Sequence, residues 1–283
     1  MPIQRVSDIV AAVDEGRTHT QRFLKNASVT GDTQWIDWSF ASGQPSFDAR
    51  VGVPIARAPM VAARNDAIWF PGIGAGQERR LAQVMLRTAA GGANQSSVDA
   101  IVYDLVAIYP LIDGDSTDPQ NMDNTLVLPR YTTGAGLVPV MVNHVAPQLA
   151  AGTGTYNYTT VDGGSRTAAF NVTLTGLGKN VGDSGAFGMP GNYDGGVRSI
   201  DQVTFTSPPG GLYCIYLLKP LTTITNIDGA LTTDKVATEK DLLERDAWRL
   251  PLVPDGAWLG FFIRPNGGAT TVSIFGNMTF IWG

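Results

Sequence analysis

The chain is expected to be mainly β: an antiparallel, jelly-roll-like β-sandwich preceded by an N-terminal helix and an extended arm. Apolar and polar residues alternate with period two in many short runs, as in Phe170, Val172 and Leu174 against Asn171, Thr173 and Thr175. The 33 glycines and 17 prolines among 283 residues supply frequent turns. Strands do not alternate with helices in the way that builds a parallel sheet.

Residues 5–27 read as an amphipathic helix, with Ser7 as N-cap and Asp8 in the first turn, where the helix dipole favours an acid. Val6, Ile9, Val10 and Val13 share one face, and Gly16 interrupts the pattern. Residues 28–62 read as irregular and extended, with Trp35, Ile36, Trp38 and Phe40 in a polar setting and Pro45, Pro54 and Pro59 along the way. A leader of that kind costs entropy to order alone. Residues 1–60 are therefore expected to form a helix and anchoring arm, with Phe23, Leu24, Trp35, Trp38 and Phe40 as partner-binding candidates. Residues 61–283 form the expected body.

In the body, residues 75–90 read as a second helix, with Leu81, Val84, Met85 and Leu86 as its stripe and Gly91-Gly92 as its stop. Residues 100–109 are apolar on both faces, as a central strand requires. Further strands are expected at 137–146, 166–175, 200–206, 211–218 and 257–263, about eight to ten in all. A short helix is expected over 234–245, with Asp234 as cap and Leu242 and Leu243 inward. The last segment reads as a β-hairpin. Leu259, Phe261 and Ile263 precede a turn at Pro265–Gly268, and Val272, Ile274, Met278, Phe280 and Trp282 return on the same face.

The net charge is −5, and no Lys/Arg cluster is present to track a phosphate backbone, which argues against direct nucleic-acid binding. The single cysteine, Cys214, lies in an apolar run and reads as a small buried hydrophobe. One cysteine forms no internal disulfide, which suits a reducing cytosol. Ile9–Val13 is too short and too closely bracketed by Asp8, Asp14 and Glu15 to be a signal peptide. No apolar run reaches membrane-spanning length.

Catalytic signals are sparse. Gly182-Asp183-Ser184-Gly185 echoes the nucleophile segment of chymotrypsin-like proteases, but triad chemistry needs a histidine base. Only His19 and His144 exist, without the flanking residues of such enzymes. A serine hydrolase using Ser184 is one alternative, and turn chemistry explains the segment equally well. Asp113, Asp115, Asp118 and Asp123 crowd one loop and could offer oxygen ligands to calcium. The spacing departs from the EF-hand pattern, with Asp118 at its glycine position and Asn124 at its glutamate position, so a solvated acidic turn is the default. Gly72–Gly76 lacks both phosphate-loop patterns and reads as a tight reversal into the expected helix. Two histidines and one cysteine cannot assemble a zinc site from soft ligands within one chain, and no cofactor is expected. Tyr156, Tyr158 and Tyr193 are candidates for stacking on glycan, with core packing as the competing explanation.

The extended aromatic leader from Gly31 to Met60, the Thr/Gly/Asn-rich loops, the Met-Pro-Ile start and the terminal strand Phe275–Gly283 together carry a resemblance. The chain resembles the virion structural proteins of tailed bacteriophages, of the minor-capsid or head-decoration kind with a jelly-roll body. The resemblance implies a non-enzymatic cement protein assembled in the host cytoplasm, a homotrimer that clamps major capsid subunits. It carries over no catalytic residue. A tail or fibre component with a glycan-binding sandwich is the alternative of a different class.

Overall fold

The structure, a computed structural model, describes residues 3, 5–28, 35–37, 42–44, 52–62, 67–90, 98–145, 152–172, 195–227, 238–241, 250–265 and 271–283. Within them lie one helix, α1 (Val6–Asp14), and fifteen strands. These are β1 (Thr18–Ser28), β2 (Ile36–Asp37), β3 (Ser42–Gln44), β4 (Ala58–Pro59), β5 (Arg79–Ala90), β6 (Val98–Asp113), β7 (Gln120–Asn121) and β8 (Val138–Val145). The remainder are β9 (Gly152–Thr160), β10 (Ser165–Val172), β11 (Val197–Ser207), β12 (Leu212–Ile227), β13 (Thr238–Asp241), β14 (Leu259–Pro265) and β15 (Thr271–Trp282).

The strands pair antiparallel in three sheets, ordered β13-β5-β15-β1-β3, β2-β14-β6-β12-β8 and β10-β9-β11-β7, with β4 also on β6. The antiparallel sandwich expected from the alternation is what the chain builds, with a third sheet added. The six-stranded sheet is central. Val102, Leu259, Phe261 and Ile263 on it meet Phe23, Leu81, Val84, Ile274, Met278 and Phe280 of the five-stranded sheet. Farther along, Val106, Tyr109, Ile215 and Leu217 meet Tyr156, Phe170, Val203 and Phe205 of the four-stranded sheet. Tyr103, Leu105, Cys214, Tyr216 and Phe262 alternate with those residues and form a third cluster with Trp35, Met60 and Ala67. Each such fully buried side chain contributes about 1.5–3 kcal/mol. The double-sided burial explains why residues 100–109 and 212–218 read as continuous apolar runs.

Several expectations need correction. The first helix stops at Asp14, because Gly16 (φ +70°) closes it in a Schellman turn. Gly16 N–H donates to Val13 O at 3.0 Å and Arg17 N–H to Ala12 O at 2.7 Å. The helix starts two residues earlier than a Ser7 cap would allow, with Arg5 as N-cap, and the Asp8 carboxylate accepts the Arg5 N–H at 2.9 Å. Residues 18–28 are then a strand between β15 and β3, in register from Thr18↔Ile281 to Ser28↔Thr271. With β2 on β14 and β4 on β6, much of the expected arm belongs to the body's own sheets.

The expected helix at 75–90 is strand β5. A register shift opposite Thr279 and Phe280 places one extra residue between Leu81 and Gln83. The bulge makes Leu81 and Val84 face the same core at a spacing of three, which imitates a helical stripe. The Gly72–Gly76 turn accordingly enters a strand, with Gly74 N–H held by Gln77 Oε1 at 2.9 Å. In the expected helix at 234–245, residues 238–241 form β13 on β5; Asp234, Leu242 and Leu243 lie outside the described residues.

The terminal hairpin is also different. β14 and β15 exist where expected, but β14 pairs with β6 and β2 while β15 pairs with β5 and β1. They face each other across the first core cluster instead of sharing hydrogen bonds.

Candidate functional site

The residues singled out for binding separate into buried, exposed and undescribed groups. Phe23 is buried with its ring 4.7 Å from that of Phe261. Trp35 is buried in the third cluster, with the Arg264 guanidinium 5.1 Å from its ring. Both serve this chain's own core. Their neighbour Leu24 is 44% exposed and lines an open concavity of about 580 Å³ with Arg22, Met85, Phe275 and Asn277 on the outer side of the five-stranded sheet. Trp38 and Phe40 lie outside the described residues.

Tyr156 and Tyr158 sit in the second core cluster, with ring centroids 5.8 Å apart, and Tyr156 stacks on Phe170 at 6.1 Å. They alternate with exposed Thr153 and half-buried Thr155, Asn157 and Thr159, so both face inward and offer no open ring to a sugar. Tyr193 and Ser184 lie outside the described residues. His19 packs edge-on to Trp69 at 5.6 Å, and His144 is half-buried on β8.

The acidic loop folds on itself. Asp113 Oδ1 accepts the Asp115 N–H at 2.9 Å, Ser116 Oγ accepts the Asp118 N–H at 3.1 Å, and Gln120 brackets Asp113 through two backbone contacts. These are Asx- and Ser-turn contacts. Among the described residues no three His, Cys, Asp or Glu side chains are grouped to hold a metal ion, so Asp113, Asp115 and Asp118 form no such group.

Two polar networks escaped the sequence. Asp104, fully buried on β6, falls between Val102 of the first cluster and Val106 of the second. Arg130 grips it with two donors, Nε to Oδ2 at 2.7 Å and Nη2 to Oδ1, and the Trp258 N–H adds a third bond at 2.9 Å. Arg130 also reaches the carbonyls of Met60 and Leu105, each at 2.6 Å. One ion pair thus ties β6, the start of β14 and two loops. Burial pushes the Asp104 carboxyl up, against the pull of Arg130 and the Trp258 N–H. The signal was a lone acid in an otherwise apolar central strand.

The second network centres on Arg57, which precedes β4 and is only 6% exposed. Its Nε donates to Tyr109 Oη at 2.9 Å, Nη1 to Leu126 O at 3.1 Å, and Nη2 to Asn124 Oδ1. Tyr109 donates to the same Asn124 oxygen at 2.7 Å, and Asn124 Nδ2 donates to Ile200 O at 2.8 Å. The network clamps the 52–57 segment to the 122–128 segment and to β11.

Apolar side chains also stand exposed. In α1, Ile9 and Ala12 face inward to Ile3, Ala82, Leu250 and Ile281, while Val10 and Val13 are 53% and 55% exposed. Val53, Leu126 and Val127 are exposed on the segments that Arg57 joins. Among the described residues no helix is long and apolar enough to cross a membrane.

No protein-family model matches the chain. No curated protein matches it either. Among solved structures, T=1 particles derived from infectious bursal virus align at 10% identity and TM-score 0.20, over 93% of this chain and 77% of the other. The infectious bursal disease virus VP2 subviral particle aligns at 9% identity and TM-score 0.21, over 93% and 80%. At such TM-scores the superposition carries no weight for fold or function.

Proposed function

We propose that this protein is a non-enzymatic structural component of a virus particle. Within that class it is a capsid decoration or cement protein of a tailed bacteriophage, binding major capsid subunits as a homo-oligomer, with a trimer favoured. It is assembled in the host cytoplasm and resides in the virion. The observation that carries this proposal is α1. This nine-residue helix buries Ile9 and Ala12 and also exposes Val10 and Val13, one turn apart, as an apolar edge between its buried stripe and the polar side that carries Ser7 and Asp14. Such an exposed apolar pair widens the helix's apolar stripe beyond what the chain's own core covers and offers a contact to a partner. The major capsid subunit is the proposed cover. A protein that binds only the assembled shell stabilises it by mass action. Trp38 and Phe40 keep an anchoring role here, and Leu24 adds a contact from β1.

The test is occupancy on cognate purified capsids. Val10→Asp with Val13→Asp leaves the fold and melting temperature intact and strongly reduces occupancy. Full occupancy by that variant, with the parent binding, removes α1 from the interface and this proposal with it. The fibre alternative with glycan stacked on Tyr156 and Tyr158 is not favoured, because both rings are buried.

A further inference from the structure

A cavity of about 480 Å³ opens beside Arg57. Arg57, Asn124, Thr132, Thr159, Arg198 and Ser199 give it a polar wall. Val127 and Leu128 complete the lining with apolar surface. We propose that this cavity is a binding site for a small hydroxylated oxyanion, an acidic sugar carrying a carboxylate or a phosphate.

The case rests on donor accounting. A guanidinium has five N–H donors. Arg57 spends three, all on neutral acceptors: a phenol, a carbonyl and a side-chain amide. Two remain, and among the described residues no carboxylate lies within ion-pair distance of Arg57 or of Arg198 across the cavity. The exposed Asp123 acts on Arg57 only from a distance, and an anion delivered into the cavity would take up the donors that the neutral partners leave unfilled.

The nearby acids are otherwise engaged. Asp201 accepts Ser199 Oγ at 2.8 Å, Thr159 Oγ1 at 2.8 Å and Asn124 Nδ2 at 3.5 Å. Asp123 is exposed and its carboxylate holds the Thr125 N–H at 2.9 Å. These bonds also set the ligand's second requirement. Ser199 and Thr159 have given their hydroxyl protons to Asp201, so towards the cavity their oxygens can only accept. They select O–H donors. Two guanidinium groups for an oxyanion, two hydroxyl acceptors for O–H groups and an apolar strip for C–H surface describe a sugar acid. The signature is absent from the sequence because its residues come from four separated segments.

The experiment is calorimetric titration of the full chain with glucuronate, glucose 6-phosphate, glucose and inorganic phosphate. The expected result is binding of glucuronate or glucose 6-phosphate well above that of glucose and of inorganic phosphate; which of the two binds tells carboxylate from phosphate. Arg198 is exposed, so Arg198→Glu folds normally and weakens that binding roughly ten- to a hundredfold, the weight of a lost charge-assisted bond. Arg57→Gln, if it folds, does the same. Three results overturn the proposal: no binding of either acidic sugar, inorganic phosphate bound as tightly as both, or affinity unchanged in Arg198→Glu with an unaltered melting curve.

Discussion

Single residues decide where this molecule keeps its charge. Asp104 is held by three donors in a dry environment, and such pairs are fragile to one-sided removal. Arg130→Met leaves the carboxylate buried and uncompensated, so denaturant unfolding should show a loss of about 3–5 kcal/mol at neutral pH. The sign of its pH dependence follows. Without Arg130 the Asp104 carboxyl is raised further by burial, and a carboxyl raised in the fold binds its proton more tightly folded than unfolded. The loss relative to the parent should therefore be largest above the folded value and shrink as pH falls towards the unfolded value near ~3.9. A pH-independent difference would remove burial as the cause. Asp162 behaves oppositely. At the tip between β9 and β10 its carboxylate is held by Thr160 Oγ1, which keeps it below the ordinary range. Its contribution is present above the unfolded value and lost as pH falls through the folded one. An NMR titration should find the Asp162 midpoint below ~3.9, moving up in Thr160→Val. Neither pair was legible beforehand, although a single acid inside the run Tyr103-Asp104-Leu105 hinted at the first.

Among the elements, alternation proved a reliable guide to which side chains are buried and a poor one to strand partners. Leu259, Phe261 and Ile263 point into the core with Ile274, Met278 and Phe280 as expected, yet the two strands lie in different sheets. Period two is satisfied equally by pairing side by side and by packing face to face. The reading of β5 failed because a single bulge shifts the phase of the pattern. The boundary of α1 depends on one left-handed residue, and the space around Gly16 is open. Gly16→Ala should therefore cost about 1 kcal/mol from backbone conformation alone, seen as a lower thermal midpoint without aggregation. Adjacent positions on β1 differ sharply. Phe23→Ala opens a cavity in the first cluster and should cost about 3–5 kcal/mol, while Leu24→Ala should be close to neutral for stability. Equal losses at the two positions would contradict the assignment of Phe23 to the core.

At the scale of the whole molecule, the six-stranded sheet organises everything else. β6 is paired on both sides and packed on both faces, and its neighbours β12 and β14 carry the contacts to the other two sheets. Hydrogen exchange should be slowest along β6, β12 and β14 and fastest in α1 and at the sheet edges β3 and β13. Truncation separates an attached arm from an integral strand. Removing residues 1–16 deletes α1 and spares every sheet, so a folded protein with weakened capsid binding is expected. Removing residues 1–48 takes β1, β2 and β3, and should abolish folding because β15 loses a whole flank. A stable, fully folded product of the longer truncation would show that β1 is dispensable.

The amino-acid sequence alone determined the β class, the antiparallel sandwich and the buried fate of Cys214 and the apolar runs. These follow from local periodicity and composition, which every residue reports about itself. The tertiary structure alone decided how strands divide among three sheets, that β1 belongs to the body, and that Tyr156 and Tyr158 face inward. It also decided that Arg57 and Arg198 flank one cavity. Those outcomes depend on contacts between segments tens to hundreds of residues apart, and no local pattern encodes which distant partner a strand or a charge will meet.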